Sequence, residues 1–184
     1  MKTKFIEKEI KYSGLELAPH WIYKNFNMQG DAIVGFVGEC EVNLSEMVDV
    51  EDVINNEPIY SKSMLNFICE TFNIGMVEGV LRQRLLITII KEVLETSYNI
   101  PVIRSGDDLF IDGKKLTVSI ATKSATSVLI HTGVNIDPTG APISAVGLNS
   151  VQNLKVEDFA KKVMEKYSDE IEDIVLATTK VSGR

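Results

Sequence analysis

Residues 104–136 read RSGDDLFIDGKKLTVSIATKSATSVLIHTGVNI, and the reading of this stretch decides the fold. Asp112-Gly113 sits between two β-rich runs, where a type I′ turn needs positive φ at both central residues. That turn pairs Ile111 with Lys114, Phe110 with Lys115 and Asp108 with Thr117. From Lys115 to Lys123 the alternation puts Leu116, Val118 and Ile120 on one side, and Lys115, Thr117, Ser119 and Ala121 on the other. Ser124-Ala125-Thr126 then turns into a third strand, where Val128, Ile130, Val134 and Ile136 oppose Leu129, His131, Gly133 and Asn135. Pairing Lys123 with Ser127 would set Ser119 opposite His131, Thr117 opposite Gly133 and Lys115 opposite Asn135. One face is then core, and the other gathers Asp108, Lys115, Ser119, His131 and Asn135 among small residues. Such small neighbours leave room for a ligand, whereas a plain solvated sheet face usually carries longer charged side chains.

At 184 residues with 45% apolar content, the chain can bury a proper core, and a single domain over residues 1–184 is expected. The 26 acidic residues outnumber the 19 basic ones, and the formal charge of −7 repels nucleic-acid phosphates. Cys40 and Cys69 form no CxxC pair, so free buried thiols are expected and no metal centre. MKTKFIEKEI lacks the apolar run of a signal peptide, and no segment reaches membrane-spanning length. A cytoplasmic location is expected.

Outward from the central stretch, Lys4–Tyr12 reads as a first strand, and Pro19 opens a short helix that carries His20 and Trp21. AIVGFVGEC fits a central strand, in which Gly35 and Gly38 signal a bend or a close backbone approach. The acidic segment 43–58 reads as a loop with a helical turn or two, a candidate lid. Ser61–Asn73 reads as a helix ended by Asn73 or Gly75. In the next helix, about Met76–Tyr98, Arg84 falls on the solvated stripe, while Arg82 and Gln83 fall in the apolar arc. An arginine there needs a carboxylate, a carbonyl or an anion; the choices are a pair with Glu78 one turn away, a snorkelling stem, or a ligand. Val156–Ile174 has the spacing of a packing helix.

DDLFIDGKKLTVSI followed by SVLIHTGVNID resembles the central part of biotin–protein and lipoate–protein ligases. Asp107-Asp108-Leu109, Lys115-Leu116 and Gly133-Val134-Asn135-Ile136 stand where those families carry their motifs. The resemblance implies an α+β fold of the class II aminoacyl-tRNA synthetase and biotin synthetase-like kind. In it a mixed, mainly antiparallel sheet has helices on one face and ligands on the open one. It also implies ATP as co-substrate, Lys115 as the cation at the acyl–phosphate centre, and Asp107 and Gly133 as ligand-binding positions. Nothing between Asp31 and Pro58 resembles the arginine- and glycine-rich loop that holds the acyl adenylate in those ligases. LAPHWIY, GDAIVGFVG, LRQRLL, GDDLF and KLTVSIAT are also similar, over the whole chain, to a small prokaryotic family of unknown function.

The expectation is a small-molecule pocket serving ATP-dependent carboxylate activation or acyl transfer. The alternatives are a non-catalytic small-molecule binding protein and a protein-interaction module on the same fold. Lys115 and His131 are the candidate catalytic residues, a cation and an acid or base near neutral pH. His20, Arg82, Asp107, Asp108, Ser119, Gly133 and Asn135 are the candidate ligand-binding residues. A small-molecule ligand is the expected partner, with neither nucleic acid nor membrane, and a homodimer is the candidate assembly.

Overall fold

The computed structural model describes residues 1–183. Along the chain lie β1 (Lys2–Ile6), α1 (Trp21–Phe26), β2 (Ala32–Val42), α2 (Val50–Asn55), β3 (Ile59–Phe72) and α3 (Met76–Tyr98). They are followed by β4 (Ile103–Ser105), β5 (Asp108–Ile111), β6 (Lys114–Lys115), β7 (Thr117–Lys123), β8 (Ser127–Asp137) and α4 (Val156–Ala177). The main sheet has the order β1-β2-β3-β8-β7, with β1 parallel to β2 and every other pair antiparallel. No helix among the described residues is long and apolar enough to cross a membrane.

β3 overturns the helix expected over Ser61–Asn73. Leu65, Phe67 and Cys69 join the core under α3 and α4, while Met64 and Ile68 join a second core on the opposite face. A strand covered on both sides loses its polar–apolar alternation, and a short apolar run of that kind has no period to separate it from a buried helix. Asn73 does supply the expected stop: at φ 60° it turns the chain toward α3.

The two long helices lie on one face, with α4 across β1 and β2 and α3 across β7 and β8. On the other face Tyr12 and Ile22 cover the β1-β2-β3 half, against Val34, Phe36 and Ile68, and Tyr12 reaches over to His131 of β8. The β3-β8-β7 half of that face is left to be roofed by loops.

Asp112 and Gly113 take φ 49° and 76°, and Ile111 pairs with Lys114 and Phe110 with Lys115, as the turn requires. The next register differs from expectation by one residue, because Lys123 pairs with Val128. Ser124 is the cause: its hydroxyl accepts the Thr126 and Ser127 N–H groups, and its own N–H reaches the Ser127 carbonyl, so the turn takes in Ser127. Val118 and Ile120 therefore lie opposite Gly133 and His131, and Ser119 lies opposite Thr132. The expected face of Ser119 is thus corrected, from that of His131 to that of α3. Lys115 escapes the slip. Leu116 is in the helix-side core, and Thr117 pairs with helix-side Val134, so two consecutive residues share that face. Thr117 consequently does not pair with Asp108; its hydroxyl accepts the Leu109 N–H at 2.9 Å.

Gly38 shows the close backbone approach its sequence suggested. A Cβ there would collide with the carbonyl of Ile10, whose N–H is bonded to Val37, beside the irregularity in the β2–β3 ladder. Gly38→Ala should cost about 1–3 kcal/mol or more in chemical denaturation, because backbone cannot rotate aside as a side chain can. Gly183→Ala, where nothing lies within 4 Å and no helix is capped, should stay within about 0.5 kcal/mol.

Candidate functional site

The half-covered face encloses a cavity of about 440 Å³, the size of ordinary small-molecule sites. Its floor is the β3-β8-β7 surface at Met64, His131, Asn135 and Val118; segment 46–60 forms one wall, and the β5–β6 hairpin with residues 141–145 forms the other.

His131 is 3% exposed. Its Nε2 lies 3.0 Å from Asn66 Oδ1, and its ring stacks on Tyr12 with centroids 3.7 Å apart. Asn66 Nδ2 donates to the Met64 carbonyl, which fixes the amide with Oδ1 toward the histidine. Nε2 is therefore the protonated nitrogen, and Nδ1 is an acceptor with no partner among the described residues. Burial pushes the imidazole down to about 3, so it is neutral at physiological pH. Tyr12 is pinned from behind, since its N–H reaches Glu39 and its carbonyl takes the Glu41 N–H.

Lys115 enters from the hairpin. Its backbone is clamped by hydrogen bonds to Ser144 and Val146, and its Nζ lies 2.9 Å from Asp108 Oδ1. Asn135 Nδ2 points at the Lys115 carbonyl at 3.5 Å, which leaves Asn135 Oδ1 free as an acceptor. Asp107 accepts from Gln83 Nε2 at 2.9 Å and sits 3.3 Å from Arg84 Nη2. Gln83, itself 3% exposed, also donates to Ser119, whose hydroxyl meets Thr132 at 2.9 Å. A polar chain thus ties α3 to the hairpin and to β7 and β8. On the opposite wall Asp52 has its carboxyl raised by burial and by the charges of Asp49 and Glu57, with Lys115 acting the other way. Among the described residues no group of three or more His, Cys, Asp or Glu could hold a metal ion.

The family model described as Domain of unknown function (DUF366) matches residues 1–182. The chain belongs to that family. An uncharacterized protein of Methanocaldococcus jannaschii is 37% identical over 180 residues, which is 95% of this DUF366 chain and 81% of that one. The solved structure of a protein of unknown function from Pyrococcus horikoshi superposes with a TM-score of 0.94 at 34% identity, covering 100% of this chain and 98% of that one. The Aquifex aeolicus biotin protein ligase in complex with biotin and ATP gives 0.61 at 15% identity, covering 92% and 70%. Lipoate-protein ligase A bound with ATP gives 0.59 at 12%, covering 94% and 86%. This DUF366 chain therefore has the class II synthetase-like, biotin and lipoate ligase-like fold.

Lys115, His131, Asp107, Asp108, Asn135 and Ser119 all border the cavity, though the Ser119 hydroxyl is turned away to Gln83 and Thr132. Three candidates do not border it. His20 sits ahead of α1 at φ 63°; its N–H is bonded to Glu70, and its ring lies over Phe72. Arg82 is held by Glu78 one turn away, at 2.6 Å, through Nε and Nη2, while its Nη1 is buried without a partner. Gly133 lies under Met64 and Val118, where a Cβ would collide with the Met64 sulfur; the glycine makes room for packing rather than for a ligand. Three residues were missed. Gln83 was signalled by its place in the apolar arc, and Asn66 by being an amide within an apolar run. Arg84 carried no signal, because a stripe of charges on a helix looks solvated.

The His131 ring should remain neutral from about pH 8 to about pH 5 in an NMR titration. Below its ordinary 6.5 the unfolded chain takes up a proton that the folded protein refuses until about 3, so stability falls as pH drops between those values. The loss approaches about 1.4 kcal/mol per pH unit from this residue. Chemical denaturation of His131→Gln at a series of pH values should show a shallower acid limb. A ring titrating near pH 6.5 would contradict the geometry.

Proposed function

We propose that this protein binds a small molecule in the cavity over β3, β8 and β7. One observation carries the reading: a buried, neutral His131, oriented by Asn66 and Tyr12, lines the cavity with an unpartnered acceptor nitrogen. That nitrogen is not one of the fully buried unpaired atoms of the described residues, so it opens on the cavity, where a ligand donor can take the place of water. The ligase neighbours whose structures carry biotin and ATP support the idea of a ligand on this fold, and their low identity leaves its chemistry to this chain's own residues.

A second reading, ATP-dependent carboxylate activation or acyl transfer, is favoured by Lys115, which borders the cavity and stands, by the sequence resemblance, at the position of the ligases' lysine. The rest of the lining suits a triphosphate poorly. Among the described residues Lys115 is the one cationic side chain that lines the cavity, and it is already paired with Asp108.

Native mass spectrometry of the purified protein should detect a bound small molecule that is absent from Val118→Trp, a substitution that fills the cavity. Arg82→Ala should keep the adduct, since Arg82 is paired with Glu78 away from the cavity. Exchange of labelled pyrophosphate into ATP with biotin, lipoate, a short fatty acid or an amino acid, abolished by Lys115→Ala, would replace the binding reading with the enzymatic one.

A further inference from the structure

The two walls of the cavity differ in charge. On the hairpin wall Asp108 is paired with Lys115 and Asp107 with Arg84, so that side is neutralised. On the opposite wall Glu46, Asp49, Asp52 and Glu57 line the cavity, and none has a cationic partner within 4.0 Å among the described residues. Between the walls the floor offers two acceptors, His131 Nδ1 and Asn135 Oδ1, on residues that are 3% and 6% exposed and have no donor for those atoms. The free capacity of the floor at His131 and Asn135 is thus acceptor, and the unpaired charge of the cavity is negative. Acceptors that open on a cavity bounded by like charges favour a ligand that brings both donors and positive charge.

We infer that the ligand is a compact organic cation of the amine or amidine class, its charge toward Asp49, Asp52 and Glu57 and its N–H donors on His131 Nδ1 and Asn135 Oδ1. The inference rests on the small-molecule reading above and fixes the sign of the ligand. The upward displacement of the Asp52 carboxyl has the same origin, since burial and the neighbouring acids Asp49 and Glu57 outweigh the opposing charge of Lys115. Nonpolar contact comes from Met64 and Val118 below and from Ile59 and Tyr60 on the acidic side.

Benzamidine, benzamide and benzoate share one shape and differ in charge, which makes them suitable probes. Isothermal titration should show benzamidine binding at least about tenfold more tightly than either of the others, the scale expected of a charge-assisted contact in a partly desolvated site. Amide NMR shifts should map to Tyr12, His131 and Asn135. Asp52→Asn with Glu57→Gln should weaken benzamidine at least about tenfold without lowering thermal stability, because the substitutions relieve like-charge repulsion. Glu157→Gln, on the remote α4 helix, should change nothing, which separates the cavity from general attraction to an acidic protein. Tighter binding of benzoate would overturn the cation assignment and leave the small-molecule reading standing. If none of the three perturbs the cavity amides, both are overturned.

Discussion

Burying β3 on both faces is the constraint to which the other elements answer. Leu65 and Phe67 on one side and Met64 and Ile68 on the other are at most 1% exposed, and each such side chain contributes about 1.5–3 kcal/mol when fully covered. One face receives two long helices. The other receives only α1 and the chain around Tyr12, which suffice for the β1-β2-β3 half. The remaining half lies under a roof of loops and the short α2, and the cavity is the space between that roof and the sheet. Site and core are therefore consequences of the same strand.

Polar groups on the half-covered face cannot rely on water, so each is tied to a neighbour. Glu70, 2% exposed, accepts from the His20 N–H and from the Ser127 hydroxyl at 2.7 Å. Asn66 divides its amide between the Met64 carbonyl and His131. These bonds select one tautomer of His131, and burial holds it neutral. A neutral imidazole with a fixed lone pair recognises a donor well, but it is a poor proton acceptor at physiological pH. The tautomer and the neutral state of His131 thus have a reason that lies in β3 rather than in β8.

Sequence pattern carried furthest where a local rule was sufficient. Asp112-Gly113 demanded a tight turn, the periodicity of α3 and α4 held from end to end, and Lys115, His131 and Asn135 do meet at one cavity. It failed where tertiary context sets the outcome. β3 has no alternation because both faces are covered. Ser119 was placed by a register that the Ser124 hydroxyl lengthens by a single residue, and in a strand one residue reverses every side chain. Of the readings open for Arg82, the pair with Glu78 is the one that forms, and only the partner of Arg84 was out of reach of the pattern. Arg82, in the apolar arc, found its carboxylate within its own helix, whereas Arg84, on the open stripe, is met by Asp107 from a hairpin whose position no helical wheel contains.

The frame shared with biotin and lipoate ligases does not fix what the cavity accepts, because the charge of the cavity is set by this chain's own side chains. An arginine-rich loop would supply a cradle for phosphate; the chain between Asp31 and Pro58 supplies instead the end of β2, the short α2 and a run of carboxylates. Lys115 remains, yet its ion pair with Asp108, about a quarter exposed on each side, is worth about 1 kcal/mol or less and cancels the charge it would offer. The two floor acceptors then act in the same direction as the acidic wall. With its one lining lysine paired and its opposite wall acidic, the face over β3, β8 and β7 presents unpaired negative charge among the described residues.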